Sequence, residues 1–127
     1  MQIMDFINKP VRADAILTNA YVAGTVLENS QTSNVMTINY NFTKGSLTDA
    51  QIKVEVSTDG STYYHLQSDS ISAGVNTLAP LVYKLAATSV GSTTPLTINT
   101  KYIKISAIGT GTVTSSSLAI NVVLGKI

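Results

Sequence analysis

The fold of this chain is decided by residues 51–67, which read QIKVEVSTDGSTYYHLQ. Ile52, Val54 and Val56 alternate with polar residues, and this period of two is typical of a strand with one buried face. Residues 58–60, Thr-Asp-Gly, fit a three-residue hairpin loop in which glycine adopts the left-handed conformation. The stretch therefore predicts a β-hairpin within an antiparallel sheet.

The loop length fixes which side chains of this hairpin are buried. A three-residue loop places Tyr64 and Leu66 on the core face, whereas Tyr63 and His65 point outward. The predicted cross-strand pairs are Val54 with Tyr64, Ile52 with Leu66, Glu55 with Tyr63, and Lys53 with His65. A four-residue loop would instead bury His65 and expose Leu66, which is less favourable. Tyr63 and His65 are thus the outward pair on which a binding role would rest.

The rest of the chain has the same pattern of short alternating strands and small polar turns. Further strands are predicted at 15–19, 21–27, 36–42, 81–86, 96–99, 102–107 and 118–124. Seven or eight strands at this spacing predict an all-β fold, a single antiparallel β-sandwich or jelly roll. Residues 1–12 lack clear alternation, so we expect a non-sandwich N-terminal arm or edge segment, with the sandwich domain at 13–127. Residues 69–80 are expected to connect the two sheets.

The composition limits the classes of function. A chain of 127 residues is one domain in size. It has no cysteine, which excludes disulfides and thiolate metal sites. Eight basic residues balance seven acidic ones, which argues against nucleic-acid binding, where clustered cations supply the affinity. No apolar run approaches the roughly 20 residues of a membrane-spanning helix.

The residues suited to chemistry are few and scattered. His65 is the single histidine, and a surface position on a hairpin explains it better than a role as a catalytic base. The seven carboxylates do not pair on any predicted strand face as an acid and base would. Asp59 is explained by the turn, and the loop around it lacks the ligand pattern of a calcium site. We therefore expect no enzymatic activity, no metal and no cofactor.

Two segments carry a resemblance to a known group of proteins. The hairpin at 54–64, Val-Glu-Val-Ser-Thr-Asp-Gly-Ser-Thr-Tyr-Tyr, is followed by Lys-Tyr-Ile-Lys-Ile at 101–105 and a closing apolar strand at 118–124. Residues 35–124 thereby resemble small β-sandwich virion proteins of tailed bacteriophages. The Asp-Gly hairpin also occurs in carbohydrate-binding and fibronectin-like sandwiches. The resemblance implies a structural role in decorating or cementing a capsid, and it assigns no catalytic residues.

These observations lead to one hypothesis and two alternatives. The hypothesis is a non-enzymatic structural protein in a virion that binds the major capsid protein or another virion protein and forms homo-oligomers. Its expected contact residues are Ile3, Phe6, Ile7, Tyr63 and His65. The first alternative is a carbohydrate-binding module on a fibre or a secreted enzyme, which would need a cluster of outward aromatic residues. The second is a phage tail, neck or connector subunit.

Overall fold

The structure is a computed structural model that describes residues 6–30 and 32–127. Within these ranges the chain forms strands and turns, with no helix. The strands are β1 (Ile7–Ala15), β2 (Val22–Ala23), β3 (Leu27–Glu28), β4 (Val35–Thr43), β5 (Leu47–Ser57), β6 (Tyr64–His65), β7 (Gln67–Ser72), β8 (Val75–Pro80), β9 (Val82–Leu85), β10 (Ser89–Ser92), β11 (Leu96–Thr97), β12 (Tyr102–Gly111) and β13 (Ser117–Gly125).

These strands form two antiparallel sheets and one separate hairpin. The first sheet has the order β1-β13-β4-β10, and β11 also pairs with β4. The second has the order β2-β12-β5-β6, with β3 beside β12 and β9 beside β5. The short strands β2 and β3 both pair with β12, β6 and β9 both pair with β5, and β10 and β11 both pair with β4. Because each such couple occupies one position beside its shared neighbour, the two sheets together have eight strand positions. This arrangement is a jelly roll, and the predicted all-β sandwich is confirmed.

The core lies between the two sheets and is built by alternation. Long strands such as β4 and β12 direct every second side chain inward, and their buried residues are mostly apolar. The largest side chains that are less than 2% exposed are Leu17, Met36, Ile38, Phe42, Leu47, Ile52, Val54, Ile103, Ile105, Leu118, Val122 and Leu124. The strand faces identified by their period in the sequence are therefore the faces that form the core.

The sequence left the N-terminal segment as an arm outside the sandwich or an edge segment, and residues 7–12 form an edge strand within the sandwich. Residues 7–12 belong to β1, an edge strand of the first sheet that pairs with β13. Val11 is buried, and the side chain of Arg12 donates a hydrogen bond to the Leu118 carbonyl at 2.9 Å. Register shifts after Pro10 and after Arg12 interrupt the period of two, and this strand therefore cannot be recognised from alternation in the sequence. The correction concerns residues 7–12, since residues 1–5 lie outside the described part of the chain.

The register of the hairpin at 51–67 is also corrected. Val56 pairs with Tyr64 and Glu55 with His65, so the loop has five residues, 58–62, instead of three. The Asp59 carboxylate accepts hydrogen bonds from the amides of Ser61 and Thr62, at 2.8 and 2.9 Å, which stabilises the longer loop. As a result Tyr64 lies beyond the end of the core and is 65% exposed, although it was expected to be buried. The expected pairs of His65 with Lys53 and Tyr63 with Glu55 are replaced accordingly.

The segment at 69–80 does not cross between the sheets. Residues 67–80 form β7 and β8, which pair only with each other among the described strands. The next strand, β9, returns to β5 in the same sheet that the chain left at β6. This region is a hairpin on the edge of the second sheet, and we refer to residues 67–80 as the projecting hairpin.

Candidate interaction surfaces

The outward residues Tyr63 and His65 lie on the outer face of the second sheet, where they already have partners. The ammonium of Lys104 lies 4.1 Å from the centre of the Tyr63 ring, a cation–π contact. The Nε2 atom of His65 lies 2.9 Å from the carbonyl oxygen of Leu81, close enough for a hydrogen bond. Both side chains are half-buried. This face is therefore an internally paired surface, and its polar groups stabilise the fold.

The other expected contact residues lie at the opposite edge of the sandwich. Phe6 is 66% exposed, Ile7 is half-buried against the core, and Ile3 lies outside the described residues. Ile7 is on β1, and a hydrogen bond from the Thr25 amide to the Val11 carbonyl joins that edge to the β2 edge of the second sheet. Tyr63 and His65 flank the β6 edge at the other side. The structure does not bring the four described residues, Phe6, Ile7, Tyr63 and His65, into one surface.

A shallow depression lies on the outer face of the first sheet and is a candidate ligand site. It encloses about 630 Å³, and its lining includes Asn39, Asn41 and Asn121. Tyr40 also lines it, but this residue lies on the same strand face as the inward-facing Ile38 and is half-buried. A sugar site would combine amides with an outward aromatic ring, and this depression offers amides without one. The depression therefore gives no specific support to carbohydrate binding.

The carboxylates Asp59 and Asp49 form hydrogen bonds and an ion pair within the fold. Hydrogen bonds from the Thr62 and Ser61 amides and the Ser57 hydroxyl hold the pKa of Asp59 below its ordinary value. Asp49 is buried next to Lys84, with 3.6 Å between its Oδ2 and the ammonium nitrogen. Within residues 6–30 and 32–127, no group of three or more histidine or carboxylate side chains is placed to hold a metal ion. Over the same ranges, no helix is long and apolar enough to cross a bilayer.

The projecting hairpin is the most exposed apolar feature of the described chain. All of its residues are exposed, and Ile71, Val75 and Leu78 are 75%, 62% and 63% accessible. Ala73 and Gly74 both have positive φ, 50° and 76°, as a tight two-residue hairpin turn requires. Long, open apolar strand edges are pairing sites for other chains. This surface was not among the expected contact residues.

The projecting hairpin is inserted into a single strand of the second sheet. Leu66 donates its amide hydrogen to the Val54 carbonyl at 2.9 Å, and Val82 pairs with Lys53, the adjacent residue of β5. The chain therefore leaves this strand after Leu66 and resumes it at Val82, the next position beside β5. We call residues 67–81, which lie between these two points, the inserted segment. The base is closed by a hydrogen bond from the Leu81 amide to the Leu66 carbonyl at 2.9 Å. The sandwich framework is complete without this segment.

The sequence contains a signal for this hairpin that is easily missed. Ala73-Gly74 is a two-residue turn between Ile71-Ser72 and Val75-Asn76, yet alanine is not a residue that favours positive φ. The flanking strands are rich in serine and threonine, which weakens the apolar alternation used to recognise strands. The available signal was Gly74, which stands between two short stretches that each contain one large aliphatic residue near the turn, Ile71-Ser72 and Val75-Asn76.

Comparison with known proteins gives one informative likeness. The chain matches no known family model, and no curated protein sequence matches it. Its fold is similar to a chain in the structure titled "Bacillus endospore appendages form a novel family of disulfide-linked pili". The TM-score is 0.51 at 9% sequence identity, over 99% of this chain and 93% of that one. At this identity the likeness concerns the fold alone, an all-β jelly roll.

Proposed function

We propose that this protein is a non-enzymatic structural subunit that works through protein–protein contacts in a large assembly. The observation that carries the proposal is the contrast between a framework whose outward residues Tyr63 and His65 already have partners and a hairpin that exposes three large apolar side chains. A monomeric protein seldom exposes neighbouring apolar residues without a binding purpose. The scattered, turn-bound or ion-paired carboxylates supply no competing catalytic arrangement.

The assembly that we propose is a virion, with the chain decorating or cementing the capsid of a tailed bacteriophage. The support is the resemblance of residues 35–124 to small virion sandwich proteins, together with the jelly roll, a fold that also occurs in viral capsid proteins. The similar Bacillus chain is described as part of disulfide-linked pili. This chain lacks cysteine, so any assembly that it forms would not be held by disulfides.

The decisive experiment is to count copies of the protein in purified particles by quantitative mass spectrometry. Hundreds of copies per particle would support a position on the head, and a dozen or fewer would support the tail, neck or connector alternative. Absence from particles would overturn the virion proposal.

The contact role of the N-terminal segment is tested with the variant Phe6→Ser, which leaves the pairing of β1 in place. Unchanged retention of this variant on particles would show that Phe6 is not part of the contact.

A further inference from the structure

The orientation of backbone groups in the projecting hairpin shows which of its residues are free to bind another strand. The two-residue turn at Ala73-Gly74 requires that the flanking pair, Ser72 with Val75, is hydrogen-bonded. The hydrogen bond from the Leu81 amide to the Leu66 carbonyl agrees with this phase of the ladder. Hydrogen-bonded and non-bonded pairs alternate along an antiparallel ladder. The pairs 68 with 79, 70 with 77, and 72 with 75 are then bonded inside the hairpin. The backbone groups of Asn76 and Leu78 must therefore point away from β7, along the open edge of β8.

The open edge of β8 differs from the other strand edges of the described chain. β1 carries Lys9, Pro10 and two register shifts, features that protect an edge from pairing. β10 is an edge strand of only four residues with a glycine inside it. β8 has six residues, no charge, and its proline only at the last position, Pro80. It is the edge best suited to strand addition within the described ranges.

We propose that β8 pairs edge to edge with β8 of a second copy of this chain, antiparallel about a two-fold axis through Thr77. This arrangement places Asn76 opposite Leu78 of the second copy and Leu78 opposite its Asn76. The four outward amide and carbonyl pairs then bond to one another, and a four-stranded sheet forms across the two-fold axis. The inference goes beyond the proposed function because it names the contact and its symmetry.

Charge supports a second copy as the occupant. The single charged side chain of the projecting hairpin, Asp69, is on β7, and its carboxylate accepts a hydrogen bond from Asn76 of the same hairpin at 3.1 Å. Two β8 edges therefore meet without a like-charge contact. Pairing through β7 would instead bring Asp69 into the ladder, opposite its own copy in the register centred on it. The net charge of +1 supplies no strong field that would favour a charged partner.

The geometry gives a sharp test because the chain has no cysteine of its own. Thr77 would face its own copy as a non-hydrogen-bonded pair, with Cα atoms about 4.5 Å apart, within the range that a disulfide bridges. The matched control is Ser70→Cys, since Ser70 pairs with Thr77 inside the hairpin and is equally exposed, but lies on β7. Mild oxidation of the folded proteins, followed by non-reducing electrophoresis, measures dimer formation.

We expect Thr77→Cys to cross-link at least about tenfold faster than Ser70→Cys, because only the first places two sulfurs within bonding geometry. Adding Leu78→Pro to the Thr77→Cys chain removes an outward amide and leaves the inward bonds of the hairpin in place, so cross-linking should fall to the rate of the control. Equal rates for the two cysteine variants, or a rate unaffected by Leu78→Pro in a chain with unchanged circular dichroism, would overturn the proposal. Either result would leave binding to a different virion protein untouched, so the two proposals fail separately.

Discussion

Removing the inserted segment, residues 67–81, should leave a folded sandwich. The deletion joins Leu66 directly to Val82, and these residues already stand at consecutive positions beside β5. Residues 67–80 are all exposed, so the deletion removes little buried apolar surface. We therefore expect a soluble variant with the all-β circular dichroism spectrum of the parent chain.

The magnitude follows from two opposing contributions. Loss of the half-buried Leu81 and of its hydrogen bonds to His65 and Leu66 costs about 1–3 kcal/mol. Removing a closed segment of this length from the strand recovers about 2 kcal/mol of loop-closure entropy. The two nearly cancel, and the free energy of unfolding should change by less than about 2 kcal/mol.

Urea denaturation followed by circular dichroism measures this change. The slope of unfolding free energy against urea concentration should also be nearly unchanged, because that slope reports the surface newly exposed on unfolding. A core substitution, Ile105→Ala, provides the contrast and should cost about 2–5 kcal/mol, since Ile105 is 1% exposed. An insoluble deletion variant, or a loss above about 3 kcal/mol, would refute the conclusion that the framework is complete without the inserted segment.

Two further predictions concern turns. Gly45 and Gly74 both have positive φ, but a Cβ at Gly45 would lie 2.4 Å from the Ser115 carbonyl oxygen, whereas one at Gly74 meets nothing within 4 Å. Gly74→Ala should therefore cost about 1 kcal/mol and Gly45→Ala at least about 2 kcal/mol more in urea denaturation; equal losses would contradict the close contact. Because the pKa of Asp59 is lowered in the folded chain, its stabilising effect is present above its unfolded pKa of about 3.9 and lost as the pH falls through the folded value. Asp59→Asn should remove this part of the acid dependence of the melting temperature, and an unaltered acid profile would show that the loop does not depend on the charge.

The sequence predicted the central strands because their burial is simple. In β4 and β13 each second residue enters one core, so Ile38 and Val122 could be identified from period alone. β1 was not predicted as part of the sandwich because two register shifts break that period. A local pattern shows alternation but not the irregular pairing that a distant partner imposes.

The register of the hairpin at 51–67 was predicted wrongly, for a different physical reason, whereas the contact role of the expected residues stays a prediction. The loop at 58–62 is two residues longer than expected because the Asp59 side chain supports additional amides, and this displaced Tyr64 from the core. Tyr63 and His65 point outward as predicted, but each already contacts a group of the same chain: Lys104 lies over the Tyr63 ring, and the Leu81 carbonyl lies within hydrogen-bond distance of His65. The contacts of Tyr63 with Lys104 and of His65 with Leu81 join residues that are distant in the sequence, so they cannot be predicted from the sequence of the hairpin alone.

The unbroken pairing on both sides of the inserted segment also has a practical meaning. Leu66 and Val82 hold the ends of the segment at adjacent positions of one strand, so a replacement sequence needs only ends that lie close together. A foreign peptide or a small domain with neighbouring termini could be grafted there, and repeated copies of the subunit would present it in a regular array. The same junction would let natural variation change the surface extension while the sandwich beneath it stays constant.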